Sequence, residues 1–126
     1  MQKQELLVFD ENDVKIAEMI EVCEETLRPQ DARVFWLILQ KGRMNAKSVA
    51  KSLDMHQPQV SEVLNRLREM GWIGSDQVKL ERGRPQNVYF SKFTKSDFIT
   101  LVEKHQEEHH EMMLAIVEKL KKQIAE

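Results

Sequence analysis

The chain is poor in several residue types, and each shortage excludes a class of protein. Among its 126 residues there is one cysteine, Cys23, so no disulfide can form within the chain. A lone thiol fits a reducing compartment. No apolar run approaches the roughly 20 residues that a membrane-spanning helix needs, and residues 1–9 hold too short an apolar stretch for a signal peptide. These shortages predict a cytoplasmic protein with no membrane partner.

Motifs of catalysis are also lacking. The chain has four glycines, and none of them belongs to a glycine-rich loop that could cradle a phosphate. Neither a metalloprotease histidine pair nor a nucleophile beside an obvious base can be recognised. We therefore expect neither an enzyme nor a bound cofactor.

What the chain does have is an uneven distribution of charge. The net charge is −2, yet residues 41–95 contain 11 basic and 5 acidic side chains. Residues 1–40 carry a net charge of −5, and residues 96–126 a net charge of −3. A local basic face is the electrostatic feature that DNA binding requires. The middle of the chain is therefore where we expect nucleic acid to bind.

The spacing of apolar residues predicts helices followed by a β-hairpin and a last long helix. Helical spacing extends over residues 10–27, about 30–41, 46–53, 58–70 and 94–124. Asn45 is a candidate N-cap, and Thr94 with Asp97 resembles a capping box. Val78 and Leu80 alternate with polar neighbours before a glycine- and proline-containing turn, as do Val88 and Phe90 after it, which predicts a hairpin.

This order of elements predicts a mainly α fold with a small β-hairpin. A short helix, a tight turn, a second helix and a hairpin with a basic tip form the winged helix-turn-helix layout. We expect two domains. Residues 1–93 would hold an N-terminal helix and the winged helix-turn-helix, and residues 94–126 a C-terminal dimerisation helix.

The second helix of such a pair enters the major groove, so its outer face must offer groups that bond base edges. In residues 58–70 one apolar stripe faces the core: Val60, Val63, Leu64 and Leu67. The polar side chains left outside are the candidate DNA-binding residues Gln57, Gln59, Ser61, Glu62, Asn65 and Arg66. Amides can pair with adenine, a guanidinium with guanine, and a carboxylate with cytosine. An ordinary solvated helix would more often carry lysine and glutamate at these positions.

The hairpin tip supplies a second set of candidates. Arg82 and Arg84 flank Gly83, and Pro85 stiffens the turn. Two guanidiniums on a narrow tip suit phosphates or a narrow minor groove, although a turn that is merely kept soluble by charge would look the same. Lys47 is a candidate for contact with the DNA backbone, which positions a protein without reading sequence.

These motifs resemble known families of regulators. Residues 52–73 look like the helix-turn-helix of ArsR-type regulators, most specifically in Gln57-Pro-x-Val-Ser and in Leu67-Arg-Glu-x-Gly. The Gly83-Arg-Pro-x-x-x-Tyr-Phe wing is similar to that of MarR- and TrmB-type regulators. The resemblance implies a dimeric, DNA-binding regulator, with Gln57, Gln59 and Ser61 in the major groove and Arg82 and Arg84 in the wing. ArsR-type metal sensors often carry a close cysteine pair, which this chain lacks.

The last helix carries a near-heptad apolar seam, which favours pairing with a second copy of the chain. Its members are Phe98, Val102, His105, His109, Met112, Ile116, Leu120 and Ile124. A two-fold homodimer would present two recognition helices to a palindromic DNA site. His105 and His109 lie one turn apart and are weak candidates for a metal site or a pH switch. Polar residues that tune the register of a coiled coil are the simpler interpretation.

A winged helix can also be a protein-interaction module, for example one that docks onto the transcription machinery. Such a face would show exposed aromatic or methionine anchors, whereas the second helix and the wing here carry polar and basic side chains. The sequence therefore favours sequence-specific binding of double-stranded DNA, with protein docking as the alternative.

Overall fold

The predicted helices and hairpin are present, with one additional strand. The computed structural model describes residues 9–24 and 26–125. In chain order the elements are α1 (Glu11–Cys23), α2 (Pro29–Lys41), β1 (Arg43–Met44), α3 (Ala46–Leu53), α4 (Gln57–Glu69), β2 (Ile73–Val78), β3 (Gln86–Ser91) and α5 (Lys95–Ala125). The mainly α fold class with a small β-sheet is confirmed.

Side-chain caps mark where α3 and α5 begin. Asn45 Oδ1 accepts a hydrogen bond from the backbone N–H of Ser48 at 2.7 Å, as predicted for the start of α3. At α5 the predicted capping box forms, because Thr94 and Asp97 exchange backbone-to-side-chain hydrogen bonds of 3.0 Å. These caps pair N–H groups that have no partner in the first helical turn.

Helix α2 is the centre of the core. Its fully buried side chains include Val34, Phe35, Leu37 and Ile38. The apolar stripe of α4 packs against it and is also buried, as predicted, at Val60, Val63, Leu64 and Leu67. Burying each such side chain contributes about 1.5–3 kcal/mol of transfer free energy, so apolar packing is a large part of what holds α4 in place.

The prediction for α1 was too long by one turn. The helix ends at Cys23, and the chain then turns so that Leu27 enters the core with 5% of its surface exposed. Pro29 begins α2, where its missing N–H costs no helical hydrogen bond. Leu27 matched the helical spacing of residues 10–27 because it is buried, but the turn after α1 buries it and not the helix itself.

The sheet contains three antiparallel strands in the order β1-β3-β2. Strand β1 was not predicted. It pairs Met44 with Tyr89, and both side chains are buried against the helices. The predicted alternation was also in the wrong phase. Tyr89 faces the core while its neighbours Val88 and Phe90 are half-buried, and Leu80 lies beyond the end of β2.

Helix α5 has 31 residues and is therefore about 46 Å long. Its first turns rest on the other helices, and Phe98 lies against Trp36 with ring centroids 5.7 Å apart. From residue 106 to residue 125 every side chain is exposed. Among the described residues, no helix is both long and apolar enough to cross a membrane. The prediction against a signal peptide concerns residues 1–9, of which the first eight lie outside the described part of the chain.

Candidate nucleic-acid interface

A tight turn sets α4 at an angle to α3. Asp54 adopts the left-handed conformation, with φ 54° and ψ 50°, directly after α3. The backbone N–H of Met55 donates to the carbonyl of Ala50 at 2.9 Å, which closes the turn. Pro58 stands in the first turn of α4, where its fixed φ favours helix formation. Short-range geometry therefore explains the helix-turn-helix.

The outer face of α4 carries most of the predicted base-reading residues. Gln57, Ser61, Glu62 and Asn65 are exposed, and Gln59 is half-buried. We call these five residues the reading face. Oδ1 of Asn65 accepts a hydrogen bond of 3.2 Å from Nη2 of Arg68. Arg68 also reaches Ser75 of β2 at 3.3 Å, so the last turn of α4 is tied to the sheet.

The sequence placed Arg66 on this outer face as a candidate DNA-binding residue, and in the structure its guanidinium is engaged by an ion pair within the chain. Nη2 of Arg66 lies 2.6 Å from Oδ1 of Asp31, and Nε donates to both carboxylate oxygens at 3.1 and 3.2 Å. The side chain of Asp31 is completely buried. Hydrogen bonding to Asp31, with smaller contributions from the charges of Asp31 and Glu62, raises the pKa of Arg66 and outweighs burial, which lowers it. Arg66 therefore faces the protein.

The wing is the loop between β2 and β3, and its tip is fully exposed. Arg82, Gly83, Arg84 and Pro85 all lie open to solvent. Gly83 has φ 85°, a backbone conformation that favours glycine. Within residues 9–24 and 26–125 neither tip arginine forms an ion pair. Both guanidiniums are therefore available to a phosphate.

Residues that sequence reasoning missed support the base of the wing. Arg43 of β1 pairs with Asp76 of β2 at 2.9 Å, and its guanidinium carbon lies 5.5 Å from the centroid of the Phe90 ring. Phe90 in turn covers Gly74, where a Cβ atom would come within 2.6 Å of the ring. No sequence signal connects these residues, because their contacts depend on how the three strands are ordered. Lys47 of α3 is exposed, as a backbone contact requires.

The two histidines of α5 lie side by side, away from this surface. Their rings stack with centroids 6.2 Å apart. A cavity of about 410 Å³ between α1 and α5 is lined in part by Cys23, Val102, His105 and His109. In the part of the chain that the structure describes, no three histidine, cysteine or acidic side chains cluster as metal ligands. Burial, with a contribution from Glu24, raises the pKa of Cys23, which disfavours the reactive thiolate.

This arrangement defines the class of the protein. A helix-turn-helix followed by a two-stranded wing with a basic tip is a winged helix-turn-helix, the fold of DNA-binding transcription regulators. Residues 26–93, more than half of the chain, match the family model described as sugar-specific transcriptional regulator TrmB. The chain belongs to the TrmB family. The predicted winged-helix regulator is thereby confirmed, and the family is one of those that the wing motif resembles.

Solved structures share this fold. A possible transcriptional regulator from Methanosarcina mazei Go1 has a TM-score of 0.56 at 17% identity, covering 83% of this chain and 88% of that one. TrmBL2, an archaeal chromatin protein, has a TM-score of 0.54 at 16% identity over 87% of this chain, which spans only 40% of that protein. MepR, a transcription regulator from Staphylococcus aureus, has a TM-score of 0.50 at 21% identity, with 85% and 74% covered. No curated protein sequence matches the chain.

Proposed function

We propose that this protein is a sequence-specific regulator of transcription that binds double-stranded DNA as a homodimer. Helix α4 would enter the major groove, and the wing would contact the phosphate backbone or the minor groove. The observation that carries the proposal is the exposure of both elements. Four of the five residues of the reading face are exposed and Gln59 is half-buried, and the wing arginines have no ion-pair partner among the described residues.

The chemistry of the reading face supports direct contact with bases. Gln57, Gln59 and Asn65 bring amide groups, which can bond to the N6 and N7 edge of adenine. Ser61 can donate to or accept from a base or a phosphate, and Glu62 can accept from N4 of cytosine. Glu62 also repels phosphate, so its presence favours a site with a cytosine at that position over unselective binding.

Backbone contacts would come from the wing and from α3. Arg82 and Arg84 can each neutralise a phosphate or enter a narrow minor groove. Lys47, in the first turn of α3, is exposed and can add one more phosphate contact. These contacts would supply most of the affinity and little of the specificity.

The homodimer is supported by the uncovered apolar side of α5. Large apolar side chains on its outer part have 41–85% of their surface exposed: Met112, Met113, Leu114, Ile116, Val117, Leu120 and Ile124. An apolar stripe of this length calls for a partner, and a second copy of α5 has the same heptad-like spacing. A two-fold axis would present two α4 helices to a palindromic site. Sedimentation at about twice the 14.9 kDa of one chain would support the dimer, and sedimentation as one chain would overturn it.

Fluorescence anisotropy across a salt series tests DNA binding. The probes are a random duplex and the duplex that the protein enriches from a random pool. We expect steep weakening with salt and a clear preference for the enriched duplex. A double Arg82→Ala and Arg84→Ala variant should lose about 0.9 of slope in log K against log salt for each phosphate contact removed.

Matched charges on α5 provide the control. Lys121 and Lys122 are exposed and lie far along the chain from α4 and the wing. Replacing both with alanine removes the same charge and should leave the slope unchanged. Weak binding to all duplexes at low salt, with no enriched sequence, would overturn the proposed DNA-binding function. Protein docking would then remain as the alternative function of the winged helix.

A further inference from the structure

An ion pair with a fully buried carboxylate joins α4 to α2, and the reading face does not include it. Of the two ion pairs among the described residues, Arg43–Asp76 is about half exposed on both sides. The other joins α4 to α2 through Arg66, with 31% of its side chain exposed, and Asp31, with none. The carboxylate of Asp31 also accepts from the backbone N–H of Arg28 at 3.0 Å, which holds it at the first turn of α2.

The rest of the α4 interface is apolar and therefore non-directional. Valine and leucine side chains fix which face is buried, but their contacts change little when a helix rotates by a small angle or shifts along its axis. A guanidinium that grips a carboxylate with Nε and Nη2 is planar and directional. Among the contacts between α2 and α4, this pair is suited to set the rotation and the axial position of α4.

Hydrogen bonding to base edges requires a precise rotation and axial position of α4. Side-chain tips lie about 5–6 Å from a helix axis, so a rotation of about 10° moves them by about 1 Å. A donor displaced by that distance no longer makes a good hydrogen bond. Ser61 and Asn65 precede Arg66 by five residues and one residue, so any rotation permitted at Arg66 is passed directly to the reading face.

We propose that Arg66 is a positioning residue for DNA reading, acting through Asp31 and without touching DNA. This inference rests on the proposed function. It predicts that loss of the pair lowers discrimination between sequences, because the reading face is misplaced. It also predicts that the number of phosphate contacts is unchanged, because Arg66 makes none.

The test compares two single-charge variants, Arg66→Gln and Arg84→Gln, with the enriched and random duplexes. For Arg66→Gln we expect a roughly tenfold loss of preference for the enriched duplex and an unchanged salt slope. For Arg84→Gln, which removes one phosphate contact from each subunit of the dimer, we expect a slope that falls by about 1.8 and an unchanged preference. A slope that also falls for Arg66→Gln, with equal weakening on both duplexes, would show that Arg66 contacts phosphate and would overturn the proposal.

Arg66→Gln leaves the Asp31 carboxylate buried without a cation, and the variant could unfold for that reason. Two further variants keep the test decisive, each checked by circular dichroism to be folded at the assay temperature. Arg66→Lys keeps the charge and removes the planar grip. The double variant Asp31→Asn and Arg66→Gln replaces the ion pair with neutral amides.

Both folded variants should lose preference as Arg66→Gln does. Full wild-type preference in both would mean that the pair is only structural, and would overturn the proposal while leaving the proposed function intact. If the wild-type protein itself preferred no duplex, the proposed function would fail together with this inference.

Discussion

Helices α4 and α5 carry apolar stripes of the same kind and differ in what covers them. All four stripe residues of α4 are at most 1% exposed. Helix α5 has no buried residue, and Leu120 on its outer part is 53% exposed. Helical periodicity therefore identifies an apolar face but does not tell whether the cover lies in the same chain. For α4 the cover is α2, α3 and β2 of the same chain, and for the outer part of α5 we infer a second copy.

The largest expected effect contrasts one leucine in each stripe. Leu64→Ala removes a fully buried side chain and should lower the free energy of unfolding by about 2–5 kcal/mol. The loss should be independent of protein concentration, because the cavity lies within one chain. Leu120→Ala should cost a single chain less than about 0.5 kcal/mol, as for other exposed positions, while weakening the dimer.

Urea unfolding at two protein concentrations, a hundredfold apart, separates these cases. The midpoint of Leu120→Ala should lie below that of the wild type at the higher concentration and approach it on dilution, because dimer contacts add less to the stability of either protein when the chains dissociate. Lys122→Ala is the exposed control on the same helix. If Leu120→Ala were as costly as Leu64→Ala at every concentration, the outer part of α5 would be covered within its own chain.

A smaller effect is expected at Gly74, a buried residue of β2. Gly74→Ala would place a Cβ atom 2.6 Å from Cζ of Phe90, so the ring must move. We expect a loss of about 1–2 kcal/mol in unfolding free energy, at the lower end of overpacking costs because the ring is half-buried. In a Phe90→Val background the same substitution should cost much less, and thermal melts of the four proteins give the coupling.

Gly71→Ala is the control for backbone strain. Gly71 has φ 84° and nothing within 4 Å of the new Cβ, so its cost comes from conformation alone and should not depend on Phe90. Equal losses for Gly74→Ala with and without the Phe90 ring would contradict the close packing of β2 against β3.

The fold was predictable where neighbouring residues determine it. Asn45, Thr94 and Asp97 are caps that act within three residues, and the α4 stripe follows from helical geometry. Strand β1 was not predictable in this way. It has two residues, too few for an alternating pattern, and it exists because β3 offers a free edge.

The candidate site was predictable only where residues close together in the chain determine it. The outer face of α4 and the wing tip follow from local sequence, and whether they bind DNA stays a prediction. The engagement of Arg66 does not follow, because Asp31 lies 35 residues away in the chain. A helical wheel places Arg66 at the edge of the apolar stripe, where only the packed neighbour decides which way the side chain turns.

The smallest expected change in unfolding free energy concerns α1. This helix packs on α2 on one side and on α5 on the other. Asp13 of α1 accepts hydrogen bonds from Nε1 of Trp36 at 2.8 Å and from Nε2 of Gln40 at 2.9 Å. Burial alone would raise the pKa of Asp13. The hydrogen bonds from Trp36, the Asp10 backbone and Gln40 together outweigh it and hold the pKa below 3.8. The ionised carboxylate therefore stabilises the α1–α2 contact.

We expect Asp13→Asn to cost about 1 kcal/mol of unfolding free energy at pH 7. Because the pKa of Asp13 is lower in the folded than in the unfolded state, its stabilisation is complete above about pH 4–5. It is lost as the pH falls from the unfolded to the folded value, so the gap between the wild-type and Asn curves should narrow as the pH falls below about 4. Glu11→Gln, an exposed change in the same helical turn, is the control. A gap that stayed constant from pH 7 to pH 3 would mean that the charge of Asp13 contributes nothing and that shape alone holds α1 on α2.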